Sequence, residues 1–126
     1  MFKESYAFSG FSVYDLAAAK AFYGLTLGLE TSDEMGMLKL HLGCGGQVIV
    51  YPKPDHQPAS FTVLNFPVED IDAAAAALTA QGLSFERYEG LHQDEQGIAR
   101  GRAAGQGPDI AWFKDPAGNI LSILQN

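Results

Sequence analysis

The side chains able to move protons near neutral pH are few: His41, His56 and His92. An imidazole of ordinary pKa suits general acid-base work. His41 ends the alternating run Met37-Leu38-Lys39-Leu40-His41, which reads as a strand. With no carboxylate near it in sequence, it reads either as an acid-base group or as a polar strand residue. His56 lies among prolines and His92 in a glycine-rich stretch, and both read as solvated. Cys44 is the only cysteine, so neither an intrachain disulfide nor a cysteine-based zinc site can be built. Its setting, Gly43-Cys44-Gly45-Gly46, reads as a turn. Trp112 and Tyr51 fit either core packing or stacking on a ligand, and a buried tyrosine hydroxyl needs a partner. Asn65 interrupts the apolar run Phe61-Thr62-Val63-Leu64-Asn65-Phe66. A buried amide there must be satisfied by a neighbour or by a ligand. No phosphate-binding glycine loop follows a strand, and no nucleophile elbow is present.

Eight basic against fifteen acidic residues give a net charge of -7. Such a chain repels phosphate backbones and anionic lipid, which argues against nucleic-acid and membrane-surface partners. The first residues, MFKESYAFSGFSV, lack the apolar core of a signal peptide, and no apolar stretch reaches membrane-spanning length. A cytoplasmic protein is the expectation. At 126 residues the chain is expected to be a single domain, 1–126, with a core that needs no staples.

The elements that would position these groups come from a repeat. Phe11-Ser12-Val13-Tyr14-Asp15-Leu16 recurs, 55 residues on, as Phe66-Pro67-Val68-Glu69-Asp70-Ile71. Each copy is followed by an alanine-rich amphipathic stretch, Ala17 to Leu25 and Asp72 to Ala80, that ends near Gly28 or Gly82. Asp15 and Asp70 would cap the helices, and the glycines would close them in the left-handed conformation. Three strands are expected after the first helix, Leu29–Glu34, Met37–Leu42 and Gln47–Tyr51. After the second, Ser84–Glu89, Pro108–Lys114 and Ile120–Leu124 are expected. The reading is two βαβββ modules, about 5–52 and about 60–126, joined by a stiff connector carrying Pro52, Pro54 and Pro58. Together they predict an α+β fold: a curved eight-stranded mixed sheet, helices on its outer face and a concave cleft. Residues 90–107 form a long glycine-rich connection. Within it, residues 93–100 read as a lid or as a solvated loop.

Val13-Tyr14-Asp15-Leu16 with Ala19, Phe22 and Tyr23, then Leu27-Gly28-Leu29, resembles the opening module of the vicinal-oxygen-chelate (glyoxalase/bleomycin resistance/dioxygenase) superfamily. Lys114-Asp115-Pro116-Ala117-Gly118-Asn119 with Ile120-Leu121 resembles its closing hairpin. The resemblance spans nearly the whole chain. It implies a binding site on the concave face, a homodimer and, in metal-dependent members, a divalent cation that coordinates two substrate oxygens. The positions matching the family's metal ligands are Phe8, Val63, Ser122 and Ile49 (Val50 if the register slips by one). None of these is a competent ligand, so no metal and no other cofactor is expected.

Strand alternation places Phe8, His41, Ile49, Tyr51, Val63, Asn65, Trp112 and Ser122 on the cleft side. That lining is mostly apolar and aromatic, the chemistry of a small-molecule pocket. The leading expectation is metal-free binding or sequestration of a small, largely apolar or aromatic molecule. The alternatives are a lyase, isomerase or dioxygenase-like enzyme of the same superfamily, or a dimeric interaction domain with a vestigial cleft. No catalytic residue can be named.

Overall fold

The computed structural model describes every residue from Met1 to Asn126. The chain divides into two compact units, Met1–Gln57 and Pro58–Asn126.

In the first unit, β1 (Ser9–Val13) leads to Asp15, whose Oδ1 accepts the backbone N–H groups of Ala17 at 2.9 Å and Ala18 at 3.2 Å. These bonds satisfy donors that have no partner inside a helix. Helix α1 (Leu16–Lys20) then widens into π-helical turns over Ala21–Thr26. Phe22 and Tyr23 both enter the core, and Gly28, at φ +74°, closes the helix as its sequence position predicts. Three strands follow: β2 (Glu30–Glu34), β3 (Met37–His41) and β4 (Gln47–Pro52). They form a mixed sheet of order β1-β4-β3-β2, in which only the β1–β4 pairing is parallel. Alternation sends Phe11, Val13, Leu38, Leu40, Val48 and Val50 to the face that packs on the helix. Each of these buried side chains contributes roughly 1.5–3 kcal/mol.

The second unit repeats the plan. Strand β5 (Thr62–Pro67) leads to Asp70, which caps α2 (Ile71–Ala80) by accepting from Ala73 N at 3.1 Å. A two-residue strand, β6 (Ala99–Arg100), the short helix α3 (Gly101–Ala104), β7 (Asp109–Lys114) and β8 (Ile120–Gln125) complete it. The sheet order is β5-β8-β7-β6, with β5 and β8 parallel. Ile71, Ala75, Ala111, Phe113, Leu121 and Ile123 make the buried layer, and α2 packs on β7 and β8. The two βαβββ modules are therefore present, as two mixed four-stranded sheets, each with its helix on one face.

Two expectations need correction. Ser84–Glu89 is not a strand. Glu86 N donates to Trp112 O at 2.7 Å, but the neighbouring groups are served by a side chain. Gln93 Nε2 donates to Glu86 O and Gly97 O, and its Oε1 accepts from Tyr88 N, at 2.8–2.9 Å. One amide thus replaces the ladder that a strand would have needed. The sixth strand is instead Ala99–Arg100, inside the long connection. The second correction is His56, which is 3% exposed rather than solvated. Its Nδ1 lies 2.6 Å from Ser12 Oγ, and its ring meets Tyr14 edge-on at 4.7 Å. The turn that buries it runs from Lys53 N, bonded to Val13 O, to His56 N, bonded to Lys53 O.

Candidate functional site

The face of the second sheet opposite α2 is organised around Trp112. Register pairs Trp112 with Ser122 and Ser122 with Asn65, so the three lie in one row across β7, β8 and β5. Ser122 is fully buried and donates to Asn65 Oδ1 at 2.5 Å. Asn65 itself is exposed, not buried as expected, because β5 is an edge strand of its sheet. A register shift between Thr62 and Leu64 leaves Val63, which is half-buried, as the extra residue of a bulge. Thr62 takes the place beside Trp112: Trp112 Nε1 donates to its Oγ1 at 3.1 Å.

Trp112 is half-buried, with open space on two sides. A small cavity of about 240 Å³ lies between Ser60, Phe61, Thr62, Tyr88, Trp112 and Ile120. A larger one, about 820 Å³, runs past Trp112 and Ile110 to Leu91, His92, Ile98 and Pro108. Tyr88 meets Trp112 edge to face, ring centroids 5.5 Å apart. Its hydroxyl is buried and has no hydrogen-bond partner. Burial, reinforced by the charge of Glu86 and opposed by Lys114, raises its pKa above the usual tyrosine value, so it stays a protonated donor.

The wall of the larger cavity is built, not loose. Asp94 Oδ1 accepts from Gln96 N and Ile98 N at 2.9 Å, and Gln93 bridges to Ala99. Arg100 then ties this turn to the sheet and helix, donating to Asp94 at 3.0 Å and to both carboxylate oxygens of Asp72 at 2.6 and 3.2 Å. Residues 93–100 are therefore a clamped turn; the sequence left them open as lid or solvated loop. Burial pushes the Asp94 carboxyl up, but the Ile98 N–H, Arg100 and the Gln96 N–H outweigh it and the net shift is downward. The hydrogen bond from Arg100 lowers Asp72. Both carboxyls thus have depressed folded-state pKa values, so their stabilisation is complete above the unfolded value, about 3.9, and is lost as pH falls through the folded ones. Acidification below about pH 4 should broaden the Arg100 Nε–H resonance and lower amide protection in 93–100 relative to β7 and β8. Unchanged relative protection down to pH 2 would refute the clamp.

In the first unit, Ile49 and Tyr51 lie on the sheet face opposite the helix, half-buried and partly exposed respectively. Gly10, paired with Ile49, leaves room there: a Cβ on it would stand 3.2 Å from Ile49 O and 3.8 Å from the Tyr51 ring. Phe8 precedes β1 and is 66% exposed. His41 is on the same face, but its Nε2 lies 2.8 Å from Ser32 Oγ on β2, toward the far edge of the sheet. Sequence reasoning missed Thr62, Tyr88 and the Ser12–His56 pair. Thr62 is hidden by the bulge, and Tyr88 by the strand wrongly assigned around it. Nothing in the proline-rich segment marks His56 for burial. That pair is shut away from solvent on the histidine side, so it packs the fold rather than meeting a substrate.

The chelating positions do not fit a metal. Phe8, Ile49 and Val63 offer no lone pair, Val50 is fully buried in the helix-facing core, and the neutral Ser122 hydroxyl, which donates to Asn65, is by itself a poor ligand. No three His, Cys, Asp or Glu side chains are grouped to hold an ion. Metal-dependent glyoxalase or extradiol dioxygenase chemistry, which needs such donors, is disfavoured.

The paired βαβββ modules and the match of the family's model to residues 10–123 place the chain in the Glyoxalase/Bleomycin resistance protein/Dioxygenase superfamily, to which it belongs. Among solved structures it is similar to a glyoxalase family protein from Enterococcus faecalis, with 24% identity, a TM-score of 0.70 and coverage of 98% of this chain and 99% of that one. TnmS3, an antibiotic binding protein from Streptomyces sp. CB03234, shares 23% identity with a TM-score of 0.66 and 97% coverage of each chain. These likenesses establish the fold. No curated protein matches the sequence significantly. No helix is long and apolar enough to cross a membrane.

Proposed function

We propose that the protein binds or sequesters a small, largely apolar aromatic molecule without a metal, and that Trp112 is the surface on which the ligand stacks. The observation that carries this reading is a half-buried indole bordered by two open spaces, on a sheet face that carries no metal-donor set. The polar groups around it, Thr62 and Tyr88, are of the sparse kind that orients a ligand in an apolar pocket. In the first unit, the open face with Phe8, Ile49 and Tyr51 has the same apolar and aromatic character, with His41 at its margin. A fold neighbour that is an antibiotic binding protein is in keeping with a binding role for this fold. A homodimer belongs to the same reading and rests on the family resemblance; a cytoplasmic location is part of the proposal but does not rest on that resemblance.

Trp112 is the only tryptophan, so its fluorescence reports this one place. Titration with a panel of neutral and cationic aromatic compounds should give saturable quenching, matched by a rise in Tm, for at least one of them. Trp112→Leu, which has no tryptophan signal and is followed by the Tm shift, should bind that compound about 30-fold or more weakly, as loss of an aromatic anchor does, while the fold persists. Undiminished binding by Trp112→Leu would move the site elsewhere. A panel with no binder at all would refute the reading.

A further inference from the structure

We propose that the small cavity beside Trp112 selects aromatic ligands carrying a hydrogen-bond acceptor, such as a ring ketone, and that the hydroxyl of Tyr88 is the donor that recognises it. This rests on the binding function proposed above and names the ligand's polar group.

Three observations converge. The Tyr88 hydroxyl is sealed from solvent and makes no hydrogen bond, an arrangement that costs free energy in the ligand-free protein. A buried donor of this kind is retained at a loss unless something else uses it. Thr62 Oγ1 already accepts from Trp112 Nε1, which leaves its own proton to donate. The hydroxyls of Ser60, Thr62 and Tyr88 around the cavity each hold a proton to donate, the phenol being a stronger donor than acceptor, and no ionised group lines it. A neutral acceptor fits that set; the charges nearest Tyr88, Glu86 and Lys114, are paired with each other at 3.2 Å, so a carboxylate would forfeit its hydration for uncharged partners and an ammonium would find no unpaired counter-charge. At about 240 Å³ the space exceeds the roughly 150 Å³ that suffices for a benzene ring, leaving room for a fused second ring or a carbonyl.

The hydroxyl is closed off in the free chain, so an acceptor reaches it only if Tyr88 moves. The backbone around it permits that. Residues 84–89 belong to no strand, so a shift breaks no ladder; they are held by the bond from Glu86 N to Trp112 O, by Gln93, by Arg87, which donates to Glu95 O at 2.6 Å, by the bond from Leu91 N to Tyr88 O, and by the Lys114–Glu86 ion pair at 3.2 Å. A shift of this segment opens the hydroxyl to the cavity that the same ring lines.

The test uses two probes of nearly equal shape, 1-indanone and indane, with the full-length protein and its Tyr88→Phe variant. Dissociation constants come from the shift of the Trp112 indole N–H resonance. The expected result is that wild type prefers indanone about tenfold and that Tyr88→Phe abolishes the preference by weakening indanone alone. Free Tyr88→Phe should also melt at the same temperature as wild type or higher, because it removes an unsatisfied buried hydroxyl. Equal affinity for the two probes, or a preference that survives in Tyr88→Phe, overturns the inference while leaving aromatic binding intact. A marked fall in Tm for Tyr88→Phe also overturns it, since the hydroxyl would then have a structural partner. Absence of binding for both probes overturns the aromatic reading of this cavity and the inference with it.

Discussion

Replacing Asp115 with alanine should lower the stability of the protein by about 3 kcal/mol or more, the largest effect expected of any single polar substitution. Asp115 opens the turn between β7 and β8 and is 5% exposed. Its Oδ1 accepts from Ala117 N and Asn119 N, and its Oδ2 from Asn119 Nδ2, all at 2.9 Å. Bonds to an ionised acceptor are worth about 1.5–3 kcal/mol each, and here three donors in a buried turn lose theirs together. Gly118, at φ +85°, completes the turn. Asp115→Asn keeps an oxygen for the two backbone donors but loses the charge and sets its own NH2 against Asn119 Nδ2, so it should recover less than half of the loss. Urea unfolding with an unchanged m-value measures both. A loss below about 1 kcal/mol for Asp115→Ala would show that the turn is held by its backbone alone.

Ile98→Ala should cost about 2–4 kcal/mol, and the damage should be felt at the face around Trp112. Ile98 is fully buried, yet it belongs to the clamped turn and sits under the larger cavity. Truncation leaves a void beneath that cavity and removes the apolar anchor of a segment otherwise held by Arg100, Gln93 and Asp94. Besides the fall in stability, amide protection should drop in 93–100 more than in β7 or β8. Uniform loss of protection across the second unit would mean that Ile98 supports the whole core rather than the turn.

Much of this arrangement was legible because it is local and periodic. Asp15 and Asp70 cap helices in both copies of the repeat, and alternation along Met37–His41 and Gln47–Pro52 sorts core from open face. The empty chelation positions were legible too, since phenyl and alkyl groups lack lone pairs wherever the backbone places them. What escaped reading depends on bonds between distant side chains and backbone. Periodicity assigns Ser84–Glu89 to a strand and cannot foresee that Gln93 would satisfy its amides. It gives Val63 a regular place in β5 and cannot show the bulge that seats Thr62 against Trp112. It reads a proline-flanked histidine as solvated, whereas Ser12 and Tyr14 enclose His56.

The parallel pairing of first and last strands in each unit also bears on how the chain folds. Ser9 pairs with Val48 in the first unit and Thr62 with Ile120 in the second. Each pairing closes a loop through the entire module, and the second loop is longer by the stretch that carries Tyr88, the clamped turn and α3. Longer loops cost more entropy to close, and non-local contacts slow folding. By loop closure alone the second pairing costs more by on the order of a few tenths of a kcal/mol. The residues that add this cost are those that furnish the walls around Trp112.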